Sequence, residues 1–134
     1  MTLLELLYHK HEEILHDAVT TLAKAKLPHF SSFTEAELNE RFSRLLHAVT
    51  LCTEKNSCSE LADYMNLISD ESFDLGSEPV EVQMMLNILE EALWKNICEY
   101  VGGHKQNAAM KLITAILCSA KQDLIDEYAI LERN

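Results

Sequence analysis

Between Val80 and Val101, apolar side chains recur at intervals of three and four: Val82, Met85, Leu86, Leu89, Leu93, Ile97 and Tyr100. That spacing lines them up along one stripe of an α-helix. Met84 and Ile88 start a second stripe, and Trp94, Cys98 and Val101 a third. A surface helix needs only one apolar stripe, whereas a helix that is apolar on several sides is covered by several neighbours. The stretch is expected to be the central helix, packed by its own domain and, on another side, by a second subunit. A core helix inside a monomer satisfies the same pattern.

The same periodicity predicts four more helices. The first spans residues 2–26, opened by a Thr2/Glu5 capping box, with Leu3, Leu4, Leu7, His11, Ile14, Leu15, Ala18 and Leu22 on one face. Pro28 ends it, and Phe30 and Phe33 of the HFSSF connector are expected to plug the bundle end. Thr34 and Glu37 form a second capping box, and the next helix, 35–55, buries Leu38, Phe42, Leu45, Leu46, Val49 and Cys52. Asn56–Ser57 breaks the pattern, and Ser57/Glu60 reads as a third capping box for a helix over 58–73, resting on Leu61, Tyr64, Met65 and Ile68. Pro79 takes the first position of the central helix, where its missing N–H costs nothing.

Gly102–Gly103 ends the central helix and returns the chain antiparallel. The last helix runs from about Lys105 to Glu132, with Ala109, Leu112, Ile113, Ile116, Leu117, Ala120, Leu124, Tyr128 and Leu131 facing the core. At ~1.5 Å per residue it is about 40 Å long, more than a domain of this size needs. Its end is therefore expected to project or to pair with a second copy. The fold class is all-α: a single domain over residues 1–134, of five helices, in either a bundle or a globin-like arrangement. Periodicity does not choose between the two.

Composition agrees with helix. The 134 residues include only 3 Gly and 2 Pro, too few turn residues for a strand-rich fold. With 48% hydrophobic and 25% charged residues, the chain is globular and not disordered. The formal net charge of −11 repels a phosphate backbone, so neither nucleic acid nor an anionic membrane surface is an expected partner. No run of 18 apolar residues could span a membrane, and the opening helix carries Glu5 where a secretory leader would be apolar. The cysteines, Cys52, Cys58, Cys98 and Cys118, form no CxxC pair; Cys98 and Cys118 lie in apolar helical patterns. They read as reduced core residues of a cytoplasmic protein.

Chemistry-bearing residues are sparse. The run His9-Lys10-His11-Glu12-Glu13-Ile14-Leu15-His16 approaches the zinc-protease HExxH, but Leu15 stands where the second histidine is required. Glu13-x-x-His16 matches one half of a di-iron ligand set, and no second half exists. His9, Glu12, Glu13 and His16 then read as a solvated helix face, with no metal. His11, among Leu7, Ile14, Leu15 and Ala18, reads as a core histidine and is the candidate if a haem or small-ligand pocket exists. His47, with Glu40, Ser43, Arg44 and Glu54 as helix neighbours, faces water and is the candidate phosphoacceptor of a histidine phosphotransfer bundle, although no glycine follows it to admit a phosphoryl donor. Glu90-Glu91 and Glu12-Glu13 point about 100° apart on a helix and read as solvated charge. Neither a GxSxG elbow nor a Gly-rich phosphate loop occurs, so no enzyme is expected.

Three stretches carry a resemblance: Gly76 through Trp94 with its Leu86-Asn87-Ile88-Leu89-Glu90-Glu91-Ala92-Leu93-Trp94 core, His11-Glu12-Glu13-Ile14-Leu15, and Glu37-Leu38-x-x-Arg41-x-x-x-Leu45-Leu46. Together they make the chain, over about residues 3–130, resemble the N-terminal regulatory domain of RsbT co-antagonist proteins, the stressosome sensor domain. The resemblance implies a globin-like fold without haem or other cofactor, a homodimer, and a sensory role in stress signalling through a protein partner. It supplies no catalytic residues. On this reading the last two helices form the dimer contact, with Trp94, Cys98, Ile125 and Tyr128 at or near it.

Overall fold

Thr2 and Thr34 each start a helix. Thr34 Oγ1 accepts from the Glu37 N–H at 3.1 Å while the Glu37 carboxylate accepts from the Thr34 N–H at 3.0 Å, and Thr2 and Glu5 do the same at 3.2 Å each. Two of the four orphan N–H groups of each helix start are thereby satisfied. The computed structural model describes all 134 residues and contains helices only. In chain order these are α1 (Leu3–His9), α2 (His11–Ala25), a 3-10 turn (Pro28–Phe30), α3 (Glu35–Lys55), α4 (Ser59–Asp74), α5 (Pro79–Tyr100) and α6 (Lys105–Arg133).

Two local expectations are corrected. The first helix is two: Lys10 leaves helical geometry (φ −110°, ψ 19°), so α1 and α2 meet at a bend, although Lys10 N–H still bonds Leu6 O at 2.8 Å. The bend turns Leu6 and Leu7 inward from α1, and Ile14, Leu15, Ala18, Val19 and Leu22 inward from α2. The third capping box does not form. Asn56 takes the left-handed conformation (φ 53°) that ends α3, and Cys58, bonded to Cys52, becomes the residue preceding α4. Ser57 is left one position too early to cap.

Helix α5 lies at the centre, packed against α1, α2, α4 and α6. Its expected stripe is buried from Val82 to Ile97, and only Tyr100, at the end, is half-exposed. Helix α6 runs back over α4 and α5 after a turn in which Gly103 adopts φ +60°, a conformation costly for any side-chain-bearing residue. Beneath the turn, Gln106 donates to the carbonyls of Cys98 and Val101, both at 3.2 Å, closing the end of α5. Polar ties fix the helices against one another. Asn96, fully enclosed, donates to Ala92 O at 2.8 Å and to Asp17 of α2 at 3.4 Å. Glu90, expected to be solvated, is 8% exposed and accepts from Lys121 of α6 at 3.2 Å. Phe30 is buried and stacks edge-on against Phe33 and His29, which plugs the bundle end as expected.

The cysteines depart from the reduced-core expectation. Cys98 and Cys118 are exposed, and Cys52 and Cys58 are joined, their Cα atoms 4.6 Å apart. The bond closes a short loop between α3 and α4, with a sequence separation of 6. Loop-closure entropy for so short a ring is about 2 kcal/mol. Reducing the bond, or replacing both residues by Ser, is expected to lower the melting temperature by roughly 5–10 °C. Circular-dichroism melts with and without reductant measure it, and coincident curves would show that the bond contributes no stability.

Candidate functional site

The two histidines singled out on separate helices come together. His11 opens α2, His47 stands midway along α3, and both line a surface groove of about 480 Å³ with Ser43, Arg44, Ala48, Glu60 and Tyr64. His11 Nε2 lies 3.4 Å from Ser43 Oγ. The bend at Lys10 explains its place: at the first position of α2, His11 sits on the margin of the buried face, and its surroundings are polar, not the Leu7–Ile14–Leu15–Ala18 core the pattern implied. Haem needs an apolar slot for its ring beside the ligating imidazole, and walls of Ser43, Arg44 and Glu60 do not provide one.

Two arginines one turn apart on α3 are used differently. Arg41 is ion-paired with Glu71 of α4 and lies over the Phe33 ring at 4.5 Å. Arg44 stacks on the Tyr64 ring at 4.8 Å and has no carboxylate within 4.0 Å. Tyr64 is itself fixed, donating its hydroxyl to Arg41 O at 3.1 Å. Burial pushes its pKa up to about 12, so the phenol remains a donor. His47 is exposed, as expected from its neighbours.

The His9–His16 run disperses. Glu13 accepts from the Tyr100 hydroxyl at 3.0 Å, tying α2 to the end of α5, and that bond raises the Tyr100 pKa. His16 lines a different, smaller hollow with Asp17, Thr20, Glu91 and Lys95. Nowhere do three His, Cys, Asp or Glu side chains converge as metal ligands.

On the far side of the domain lies the α5/α6 face. Trp94, Met110, Lys111, Thr114, Ala115 and Cys118 line an apolar groove of about 390 Å³. Trp94 is half-buried, and its indole N–H is enclosed without a hydrogen-bond partner. Cys98 is exposed and Ile125 is 49% exposed. Tyr128, expected with them, points the other way: it is 4% exposed, packs edge-on against Phe73 and donates to Ser77 O at 2.9 Å. It belongs to the core that joins α6 to the α4–α5 turn.

His29 was not singled out in the sequence, because nothing in a connector marks a histidine as enclosed. Its N–H donates to Glu81 at 3.1 Å, and its ring meets Ser77 and Ser72 across the bundle end and stacks on Phe30 and Phe33. Burial lowers its pKa below the ordinary 6.5 and Arg41 adds to this, while Glu81 and Glu71 oppose it. The unfolded chain therefore binds a proton that the folded chain refuses. Stability is expected to fall as pH drops below about 6.5, the loss levelling off below the folded pKa. In His29→Gln, urea midpoints between neutral and mildly acidic pH should fall less steeply than in the parent. Equal slopes would assign the acid sensitivity to other groups.

No helix is long and apolar enough to cross a membrane. Comparison with protein-family models, curated proteins and solved structures finds no match, so the likeness to RsbT co-antagonist sensor domains rests on packing motifs of the sequence alone.

Proposed function

We propose that the chain is a non-enzymatic sensory and regulatory domain that acts as a homodimer, two copies meeting on the outer face of α5 and α6. The observation that carries this reading is the groove at Trp94: a large aromatic side chain, half-buried, with its N–H unpartnered and an apolar floor around it. Aromatic anchors in such settings dominate binding energy. Ile125, Leu112 and Ile130 add exposed apolar area along α6. Charge is compatible with the same face. Helices α5 and α6 hold eight of the 22 acidic residues and five of the 11 basic ones, so they carry a modest part of the net negative charge.

The resemblance to stressosome sensor domains supports the same reading and adds a downstream protein partner in stress signalling. A signal would act by favouring one of two packings of the helices, with a free-energy difference set by its differential affinity for them. Native mass spectrometry of the purified chain tests the proposal. A dimer without added mass is the expected result, and a monomer that retains a small molecule would overturn it.

A further inference from the structure

We propose that the groove between α2, α3 and α4 binds a phosphate oxyanion, either inorganic phosphate or the phosphate of a small monoester, on the guanidinium of Arg44. The inference is independent of dimerisation, since no residue of α5 or α6 lines the groove.

The argument begins with unused donors. A guanidinium carries five N–H donors and keeps its charge at any pH a protein survives. Arg41 spends its charge on Glu71, whereas Arg44 has neither an ion pair nor a hydrogen bond within the chain and lines the groove. Arg44 is not free to wander. The Tyr64 ring, itself held by its bond to Arg41 O, lies against the guanidinium at 4.8 Å. A pre-positioned fork loses less entropy on binding than a swinging one.

Further donors surround it. The His47 imidazole supplies an N–H, and Ser43 and His11, 3.4 Å apart, share their polar atoms with each other as well as with the groove. These groups come from two helices and line one groove with Arg44, and a phosphate has oxygens enough to take both arms of a guanidinium fork and a further donor. The acidic group on the rim, Glu60, is partly offset by Lys55, 3.8 Å away. The volume of about 480 Å³ admits a phosphate with a small organic substituent. A nucleic-acid strand is excluded as its source by the net charge of −11.

The test is a titration of the ¹⁵N-labelled full chain with inorganic phosphate, then with glycerol phosphate, against sodium chloride at matched ionic strength and fixed pH. Saturable shifts of the Ser43, Arg44 and His47 amides and of both imidazoles are expected, absent with chloride. Arg44→Gln should weaken binding roughly tenfold or more, the loss of a charge-assisted pair. Arg44→Lys, which keeps the charge and loses the fork, should fall between, and Arg133→Gln should bind like the parent. Tighter binding of glycerol phosphate would assign the site to monoesters, and equal or weaker binding to the free ion. Shifts that fail to saturate, that chloride reproduces, or that persist undiminished in both Arg44 variants would overturn the proposal.

Discussion

Phe42→Ala is expected to lower the unfolding free energy by about 3–5 kcal/mol. Phe42 has no exposed surface and is among the largest enclosed side chains. It lies on α3, which packs against α1, α2, α4 and α6, so the hole is bordered by a helix already held by several others. Such a site relaxes little, and the cost is the lost transfer energy plus the residual cavity. Against a total of roughly 5–15 kcal/mol for a domain, the loss leaves a marginally folded protein. Leu67→Ala, by contrast, trims an apolar side chain that is 48% exposed on α4 and should stay within about 0.5 kcal/mol. Urea unfolding of both variants measures the difference. A Phe42→Ala protein within about 1 kcal/mol of the parent, the cost of an ordinary substitution, would mean that the centre of the domain is less tightly packed than described.

Trp94→Glu is expected to convert the proposed dimer to monomer, at concentrations where the parent is expected to be dimeric. The change removes the anchor and places a carboxylate on an apolar floor in each copy. Two such charges would face each other across the contact in a low-dielectric setting, and truncating a central anchor alone commonly costs at least about 2 kcal/mol of binding. The weakening is therefore thirtyfold or more by rough conversion. Because Trp94 is also half-buried in its own protomer, Ile125→Glu serves as the parallel variant: it is 49% exposed and contributes little to the fold. Sedimentation reads the mass, and far-ultraviolet circular dichroism shows that each variant remains helical. Should both variants sediment as the parent dimer does, the interface lies elsewhere.

Much of the fold was legible because helical periodicity reports burial directly. The α5 stripe from Val82 to Ile97, the Thr2 and Thr34 caps and the Pro79 start all stand where the sequence placed them. What escaped depends on neighbours that a one-dimensional pattern does not contain. Apolar spacing extends unbroken through Lys10, so nothing local announces the bend that carries His11 out of the core. Leu112 and Cys98 continue apolar stripes and are nonetheless exposed, because a stripe records which side chains could be covered and not whether a helix arrives to cover them. Glu90 is the converse. Its burial requires Lys121, 31 residues later, and only the packing of α6 on α5 brings the two together.

The site was legible in pieces. His11 and His47 each stood out by composition, but their common groove depends on how α2 lies across α3, and its decisive feature, one paired and one unpaired arginine, depends on where α4 places Glu71. Spacing on α3 puts Arg41 and Arg44 one turn apart and says nothing of which is spent. Tyr128 was expected both on the core stripe of α6 and near the dimer contact, and the Ser77 carbonyl and the Phe73 ring hold it in the core.

The place of α6 has a consequence for how the protein is made. The most extensive packing in the domain is between α6 and the pair α4 and α5, and α6 follows both in the chain. A nascent polypeptide that has reached Gly103 has synthesised its central helix but not the side chains, Ala109 through Tyr128, that cover it. Until then Leu89, Leu93 and their neighbours remain open to water or to other chains, and a chaperone that shields apolar segments would find its binding site there. Translation pausing within α6 would prolong that exposure, and emergence of α6 would end it by letting that helix fold back onto the two before it.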